Sequence, residues 1–457
     1  MINTSLYNAL RAYCNSALAL LDSKIRRIED LPITTKEKVE VADDSWGLSF
    51  SPRREVLWDR LIRLITRYET DFTKMDAYKT AAQALQADPQ IAKHLNTLVG
   101  TNMFRSRIDT DICLRSFLIQ LLQKQQDLSL QEVEFNKLYS DFENYFYRDV
   151  IELRFLSPLN NFRIETEKIE LNSKFSIIKI TKEEREQMIS WSRDFGFFDQ
   201  HIMSPFNEYA LELFLETPKG FGEIPAIYDK ENSPDHIAIR EFDNACSALR
   251  LFKNGAISPG KIIVKSISWD PHGGIHSTAL MIRPAIGSQY TLSKEESIEF
   301  LRFWEFFQKV RQKKIARNDI ALRRFNFAYE RVRPEDRLID YLIGFESLLL
   351  KKNERQELEY RLALRGSVLL AKIPGERAIV FKELKKAYGE RSNIVHGGTV
   401  SKNVKIGDYE ITFNEFVEKI EQRLRAAIKE FLTLSKIQSD SKIIENLDDK
   451  IVGGQSS

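Results

Sequence analysis

Cysteine is scarce in this chain. Its three residues, Cys14, Cys113 and Cys246, are odd in number, far apart and in no CxxC spacing. That pattern argues against a disulfide framework or a thiolate zinc site and fits a reducing cytosol, with the three thiols serving as small buried hydrophobes. Charge of one sign is equally lacking. Sixty-eight Lys and Arg face 66 Asp and Glu for a formal net charge of +2, so no global field marks a nucleic-acid or membrane binder. Any such surface must be local. No apolar run reaches the length of a membrane span. The opening "MINTSLYNALRAYCNSALALLD" lacks both a basic start and an unbroken apolar stretch, so it reads as an amphipathic helix and not as a secretory signal. A cytoplasmic protein is expected. There is no Walker A loop, no GxSxG elbow and no HExxH, which removes nucleotide-hydrolase and zinc-protease readings.

What is present is an ordinary globular composition, 43% hydrophobic and 29% charged over 457 residues, enough for two to four domains. Residues 1–147 carry helical periodicity. In "SPRREVLWDRLIRLITRYETDF", Val56, Leu57, Leu61, Leu64 and Ile65 fall on one stripe. The character changes over 148–292. "VIELRFLSPLNNF" and "IETEKIELNSKFSIIKIT" read as strands, "TKEE" from Thr181 as a capping box launching a helix to about Ser192, and "YALELFLET" as a half-buried strand alternating Leu211, Leu213 and Leu215 with Glu212 and Glu216. "GKIIVKSISWDPHGGIHSTALMIRP" reads as two strands joined at Asp270–Gly274.

From Ser293 to the end the pattern is helical. "SKEE" caps a helix with Phe300, Phe303, Trp304, Phe307 and Val310 on one broad face. Further helices are expected over about Asp319–Val332, from Pro334 with Leu338, Leu342, Phe345 and Leu349 in register, over about Glu354–Ala371, from near Glu376 after a break at Pro374 and Gly375, and from the Thr412/Glu415 capping box to about Leu434. "DDKIVGGQSS" reads as a frayed tail. The expected fold class is α+β, mainly α: a helical amino-terminal domain (1–147), an α+β domain (148–292) and a carboxy-terminal helical bundle with leading basic helices (293–457).

Four sets of polar residues stand out from the patterning. Arg365 sits in the stripe Leu358, Leu362, Arg365, Leu369, where an unpaired guanidinium would be costly, and Glu346 is a candidate partner for Arg361 or Arg365 in a structural ion pair. Between Arg302 and Arg333 ten Lys or Arg stand against three acids. Lys313, Lys314 and Arg317 there could follow an RNA backbone, or could simply be a solvated helix face. His272, His276 and Asp270 in "DPHGGIH" are good turn chemistry without a third strong ligand, so no metal or other cofactor is expected.

The fourth set is "GERSNIVHGG". Arginine offers phosphate a permanent planar fork, and histidine exchanges a proton near neutrality. Arg391 and His396 are a minimal kit for phosphodiester cleavage. On an unbroken helix, five steps of about 100° leave them about 140° apart. Either the helix ends there, as Gly397 and Gly398 suggest, or the site is completed across a symmetric dimer. Ser392 and Asn393 share a face with His396 and could orient its ring or contact a sugar or phosphate.

The runs "RFNFAYERVRPEDRLIDYLIGFESLLL", "LEYRLALRGSVLL" and "ERSNIVHGG" together resemble the Apea-like branch of the HEPN superfamily over about Arg324–Gly398. The resemblance implies a helical bundle acting as a metal-independent endoribonuclease, with Arg391 and His396 as its R-x4-H pair, Ser392 or more suitably Asn393 as the polar residue beside the arginine, and Glu346 at the acidic position. It implies cleavage by 2′-hydroxyl attack to a 2′,3′-cyclic phosphate, a homodimer through the bundle, and a setting in prokaryotic antiviral defence or a toxin-like response with a phage or cellular trigger. The tyrosine that relatives under nucleotidyltransferase control carry two places after the histidine is Gly398 here, so that control is not expected. A bundle that binds RNA or protein without cleaving it is the alternative.

Overall fold

The computed structural model describes residues 3–25, 33–41, 48–56, 65, 69–100, 105–182, 184–185, 208–221, 232–267, 269–271, 275–277, 287–311 and 316–453. The amino-terminal part holds helices α1 (Thr4–Ile25), α2 (Glu69–Lys74), α3 (Asp76–Ala87), α4 (Pro89–Ala92), α5 (Thr110–Gln125) and α6 (Glu132–Tyr147), with strands β1 (Ile33–Val41), β2 (Leu48–Val56), β3 (Leu98–Gly100) and β4 (Arg105–Arg107). Leu10, Tyr13, Leu85, Phe117, Phe135 and Phe142 close its interior, with Cys14 and Cys113 buried among them. Helix α4 starts where the Asp88 carboxylate accepts the free amides of Gln90 and Ile91. One expectation fails here. The segment read as the start of a helix at Ser51–Val56 is strand β2, paired antiparallel with β1 from Ile33↔Val56 to Val41↔Leu48. The alternating "ITTKEKVEV" just ahead of it supplies a hairpin partner that outweighs the three-and-four spacing. Leu57, Leu61 and Leu64 of that stripe lie outside the described residues.

The centre is an antiparallel sheet in the order β13-β12-β5-β9-β8-β7, with β11 also on β5. Its strands are β5 (Val150–Asn160), β7 (Lys168–Asn172), β8 (Phe175–Lys179), β9 (Tyr209–Pro218), β11 (Ser258–Pro259), β12 (Ile263–Ser266) and β13 (Ile275–Ser277). Short β6 (Phe162–Ile164) pairs in parallel with β14 (Tyr290–Leu292), and β10 (Gly220–Phe221) pairs with β3. Helix α7 (Pro234–Phe252) packs on the sheet through Phe242, whose ring lies 5.7 Å from Phe175. The expected strand pair around Asp270–Gly274 is present as Ile263↔Ser277. The Thr181 box is formed too, with Glu184 N donating to Thr181 Oγ1 at 3.1 Å, although the rest of that helix lies outside the described residues. Glu212 departs from the half-exposed reading of β9: it is 8% exposed and accepts from Arg154 Nε at 2.7 Å, so an ion pair covers that face of the strand.

The carboxy-terminal part comprises α8 (Lys294–Arg311), α9 (Ala316–Ala328), α10 (Pro334–Leu349), α11 (Leu358–Leu370), α12 (Pro374–Val395), a hairpin of β15 (Asn403–Ile406) and β16 (Tyr409–Thr412), α13 (Phe413–Leu434) and α14 (Asp440–Val452). Leu338, Leu342, Phe345, Leu349, Leu384, Ile420 and Leu424 are fully buried between the helices. Gly366 lets α11 and α12 touch, since a Cβ there would lie 2.4 Å from Leu384 Cδ1. Both expected capping boxes, Ser293/Glu296 and Thr412/Glu415, are made. Several boundaries move: α9 starts at Ala316 and α11 at Leu358, where about Asp319 and about Glu354 were expected. Val332 is 79% exposed because α9 stops at Ala328. Pro374 and Gly375 open α12 in place of breaking the chain, since an orphan amide at the first turn costs proline nothing. "DDKIV" is the end of α14, whose Ile443, Ile444 and Leu447 are buried. Helical ends around a central sheet make the molecule α+β, and most buried apolar side chains of the described residues form one cluster running from Leu6 to Leu447, with a smaller one of Leu156, Ile180, Ala210 and Ile263 on the sheet.

Candidate functional site

Helix α12 carries the motif, and its three sectors differ in environment. Val380, Glu383, Leu384, Ala387 and Glu390 are buried against the bundle; Phe381, Tyr388 and Ser392 are half-exposed; Lys382, Lys385, Gly389, Asn393 and His396 are exposed. The helix does not break between the two motif residues. His396 is its carboxy-terminal cap at φ −88° and ψ 12°, and its amide still donates to Ser392 O at 3.1 Å. Arg391 and His396 of one chain therefore stand about 140° apart around the axis and about 7.5 Å apart along it. The helix does end at the glycines, but it stays regular from Arg391 to Val395, so its end does not turn the two side chains toward each other.

Arg391 is half-buried and is held without being saturated. Its Nη1 lies 4.0 Å from Glu346 Oε1, an ion pair too long for a hydrogen bond, and its guanidinium sits 5.8 Å from the ring centre of Tyr388. Its buried Nε has no hydrogen-bond partner. Burial, and then the Glu346 carboxylate, push the Tyr388 phenol above its ordinary value. Glu346, Tyr388 and Arg391 thus form a cluster at the α10–α12 seam. The sequence offered Glu346 and Arg391 separately; Tyr388 was missed, although its place three residues before Arg391 is the signal of a shared helix face.

His396 is exposed, and its ring makes no hydrogen bond or ion pair with the described residues. Beyond it the chain turns sharply. Gly397 has φ +80°, Gly398 N donates to Asn393 O at 2.9 Å, and Asn393 Nδ2 donates to Thr399 O at 3.0 Å. A Cβ on Gly398 would fall 1.9 Å from Asn393 Oδ1. Asn393 is therefore occupied in fixing the turn that follows the histidine, while Ser392 lies half-exposed on the same helix face as His396.

The structural arginines find other partners than Glu346. Arg365, 2% exposed, forks onto Glu354 at 2.7 and 2.8 Å, meets Asp448 at 2.6 and 3.0 Å, and donates to Leu349 O at 2.8 Å. Arg361 lies 3.6 Å from Glu354 and 3.7 Å from Glu357. Glu346 instead meets Arg391 and Tyr388 of α12. Hydrogen bonds from Arg365 hold the Glu354 carboxyl below its ordinary value. Burial opposes ionisation of Asp448, yet bonds from Arg365 and Lys351 outweigh it and lower that carboxyl too.

Much of the basic stretch before the bundle is committed to internal contacts. Arg317 Nη1 donates to Ser347 O at 3.2 Å and Leu350 O at 2.6 Å, closing the end of α10. Arg324 and Arg331 both bind the buried Asp340, at 2.9 and 2.8 Å, and Arg311 lies 3.7 Å from Asp319. Lys313 and Lys314 lie outside the described residues, as does His272. His276 sits on β13 opposite Val264, and no group of three or more His, Cys, Asp or Glu converges as metal ligands among the described residues. No helix among them is long and apolar enough to cross a membrane. Comparison of the chain with protein-family models, with curated proteins and with solved structures finds no match.

Proposed function

We propose that the protein is a metal-independent endoribonuclease of the HEPN type, active as a homodimer in which the α12 helices of two copies bring Arg391 and His396 to one scissile phosphate. The observation that carries this reading is the unequal state of the two residues. Arg391 is positioned by Glu346 and Tyr388 with donors still unspent, and His396 stands open to solvent at the end of the same helix. His396 takes the proton of the ribose 2′-hydroxyl, or supplies one to the departing 5′-oxygen. The 2′-oxygen bonds to phosphorus, the bond to the 5′-oxygen breaks, and Arg391 carries the charge gathered on the phosphorane oxygens. The product is a 2′,3′-cyclic phosphate. Because about 140° separates the two side chains on one helix, a second copy is the simplest way to face an arginine toward a histidine. The parts ahead of the bundle would then hold the nuclease in check until a phage or cellular trigger arrives.

The test is incubation of the purified protein with total RNA in EDTA beside His396→Ala and Arg391→Ala. Each substitution is expected to lower the cleavage rate by about 10²- to 10⁴-fold. RNA that binds but stays intact with the wild type, with and without phage lysate as trigger, would show a non-catalytic RNA-binding bundle and sink the nuclease.

A further inference from the structure

We infer that the exposed face of α12 beside His396, marked by Lys382 and Lys385 and continued past the histidine by Lys402 ahead of the hairpin, is the track along which single-stranded RNA reaches the motif; this rests on the ribonuclease reading. Helical geometry aligns the first two lysines with the histidine. Lys385 is eleven residues before His396, about 20° away around the axis, and Lys382 is fourteen before, about 40° away on the other side. The stretch from Lys385 to His396 rises about 16 Å, the length of roughly five nucleotides at a stacked spacing of about 3.4 Å. Gly389 lies between them, and a Cβ there would meet nothing within 4 Å, so the middle of the stripe is bare.

The accounting of charge separates this face from its neighbours. Lys386 is bound to the buried Glu390 at 2.8 Å, and Lys419 and Arg423 are bound to the fully buried Glu383 at 3.0 and 2.8 Å. Lys405 has Glu410 directly across the hairpin. Lys382, Lys385 and Lys402 are exposed and paired with no carboxylate among the described residues. Glu383 also accepts from Tyr409 at 3.1 Å, which ties the hairpin to α12, and Lys382 Nζ lies over the hairpin turn, 3.5 Å from where a Cβ of Gly407 would be. Lys402 stands at the start of that hairpin, six residues past the histidine. The three ammonium groups thus flank His396 on both sides in the chain. The arginine-rich stretch over 302–333 looks more basic in sequence, but Arg311, Arg317, Arg324 and Arg331 are engaged within the fold.

The experiment is fluorescence anisotropy of a labelled 20-nucleotide oligouridylate against full-length His396→Ala protein, across 50 to 200 mM NaCl. In that background Lys382→Glu/Lys385→Glu/Lys402→Glu is compared with a control, Arg302→Glu/Lys309→Glu/Arg323→Glu, on the exposed faces of α8 and α9. Loss of three phosphate contacts lowers the salt slope by about 2, and affinity is expected to fall roughly tenfold or more at 50 mM, with the control near the parent. Lys385→Ala alone, which breaks no contact of the fold, is expected to lower the slope by about 0.7. Equal losses in stripe and control, or no loss in the stripe, would overturn the track while leaving the nuclease standing if wild type still cleaves. Absence of both binding and cleavage would remove the nuclease and the track together.

Discussion

Arg365 shows what a single buried charge demands of its surroundings. Two carboxylates and a carbonyl surround its guanidinium, so Arg365→Ala is expected to cost about 3–5 kcal/mol by leaving Glu354 and Asp448 unmatched, whereas Arg365→Met should cost less. Urea titration measures both. Because Glu354 and Asp448 have lowered carboxyl values, the folded state binds fewer protons than the unfolded one. Their contribution is complete above the ordinary carboxylate range near pH 4 and disappears as pH falls through the lowered values. Wild type should therefore lose more stability than Arg365→Met between pH 6 and pH 3, and parallel losses would refute this. The turn after His396 offers a second residue-scale test. Gly398→Ala must displace the Asn393 amide from Thr399, so it and Asn393→Ala should each cost about 1 kcal/mol. The double variant should cost little more than either, read as a non-additive thermal shift.

At the scale of elements, the hairpin of β15 and β16 hangs on Glu383, a fully buried carboxylate reached by Lys419, Arg423 and Tyr409. Glu383→Ala should cost about 2–3 kcal/mol and speed amide exchange in Val404–Ile411 more than in α10. The helices were legible wherever periodicity and caps agreed: Leu338, Leu342, Phe345 and Leu349 are all buried, and both serine and threonine boxes close as their spacing requires. Strand β2 was not, since its three-and-four spacing was read without the alternating segment just ahead of it, with which it forms a hairpin. The site was legible in part. The contrast of Arg391 with His396 could be read from type and spacing, but the seating of Arg391 on Tyr388 and Glu346 depends on how α10 meets α12. Nor could sequence tell which lysines and arginines are already matched, because ion pairs such as Arg331 with Asp340 are set by tertiary packing.

At the scale of the molecule, a polar seam joins the bundle to the central part. Arg425, 7% exposed on α13, donates through Nε to Arg250 O at the end of α7 at 2.8 Å, and through Nη2 to Asn254 at 3.1 Å and Tyr329 at 3.0 Å. Tyr329 and Arg337 reach Glu421 beside it, at 2.6 and 3.1 Å. This is a physical route by which a change around α7 could alter the packing of α13. Arg425→Met is expected to keep both parts folded yet weaken their joint unfolding, so calorimetry should show one transition splitting into two; a single, merely lowered transition would refute that role.

Helix α14 fastens the bundle from its far end. Asp448 reaches across to Arg365 on α11 while Ile443, Ile444 and Leu447 fill the groove beneath. A protease nick in the Ser435–Ser439 connection would therefore be tolerated only while the released segment stayed seated. Once it drifted off, a sealed cation would lose half its counter-charge, and an oily trough would be left for neighbouring molecules to stick to.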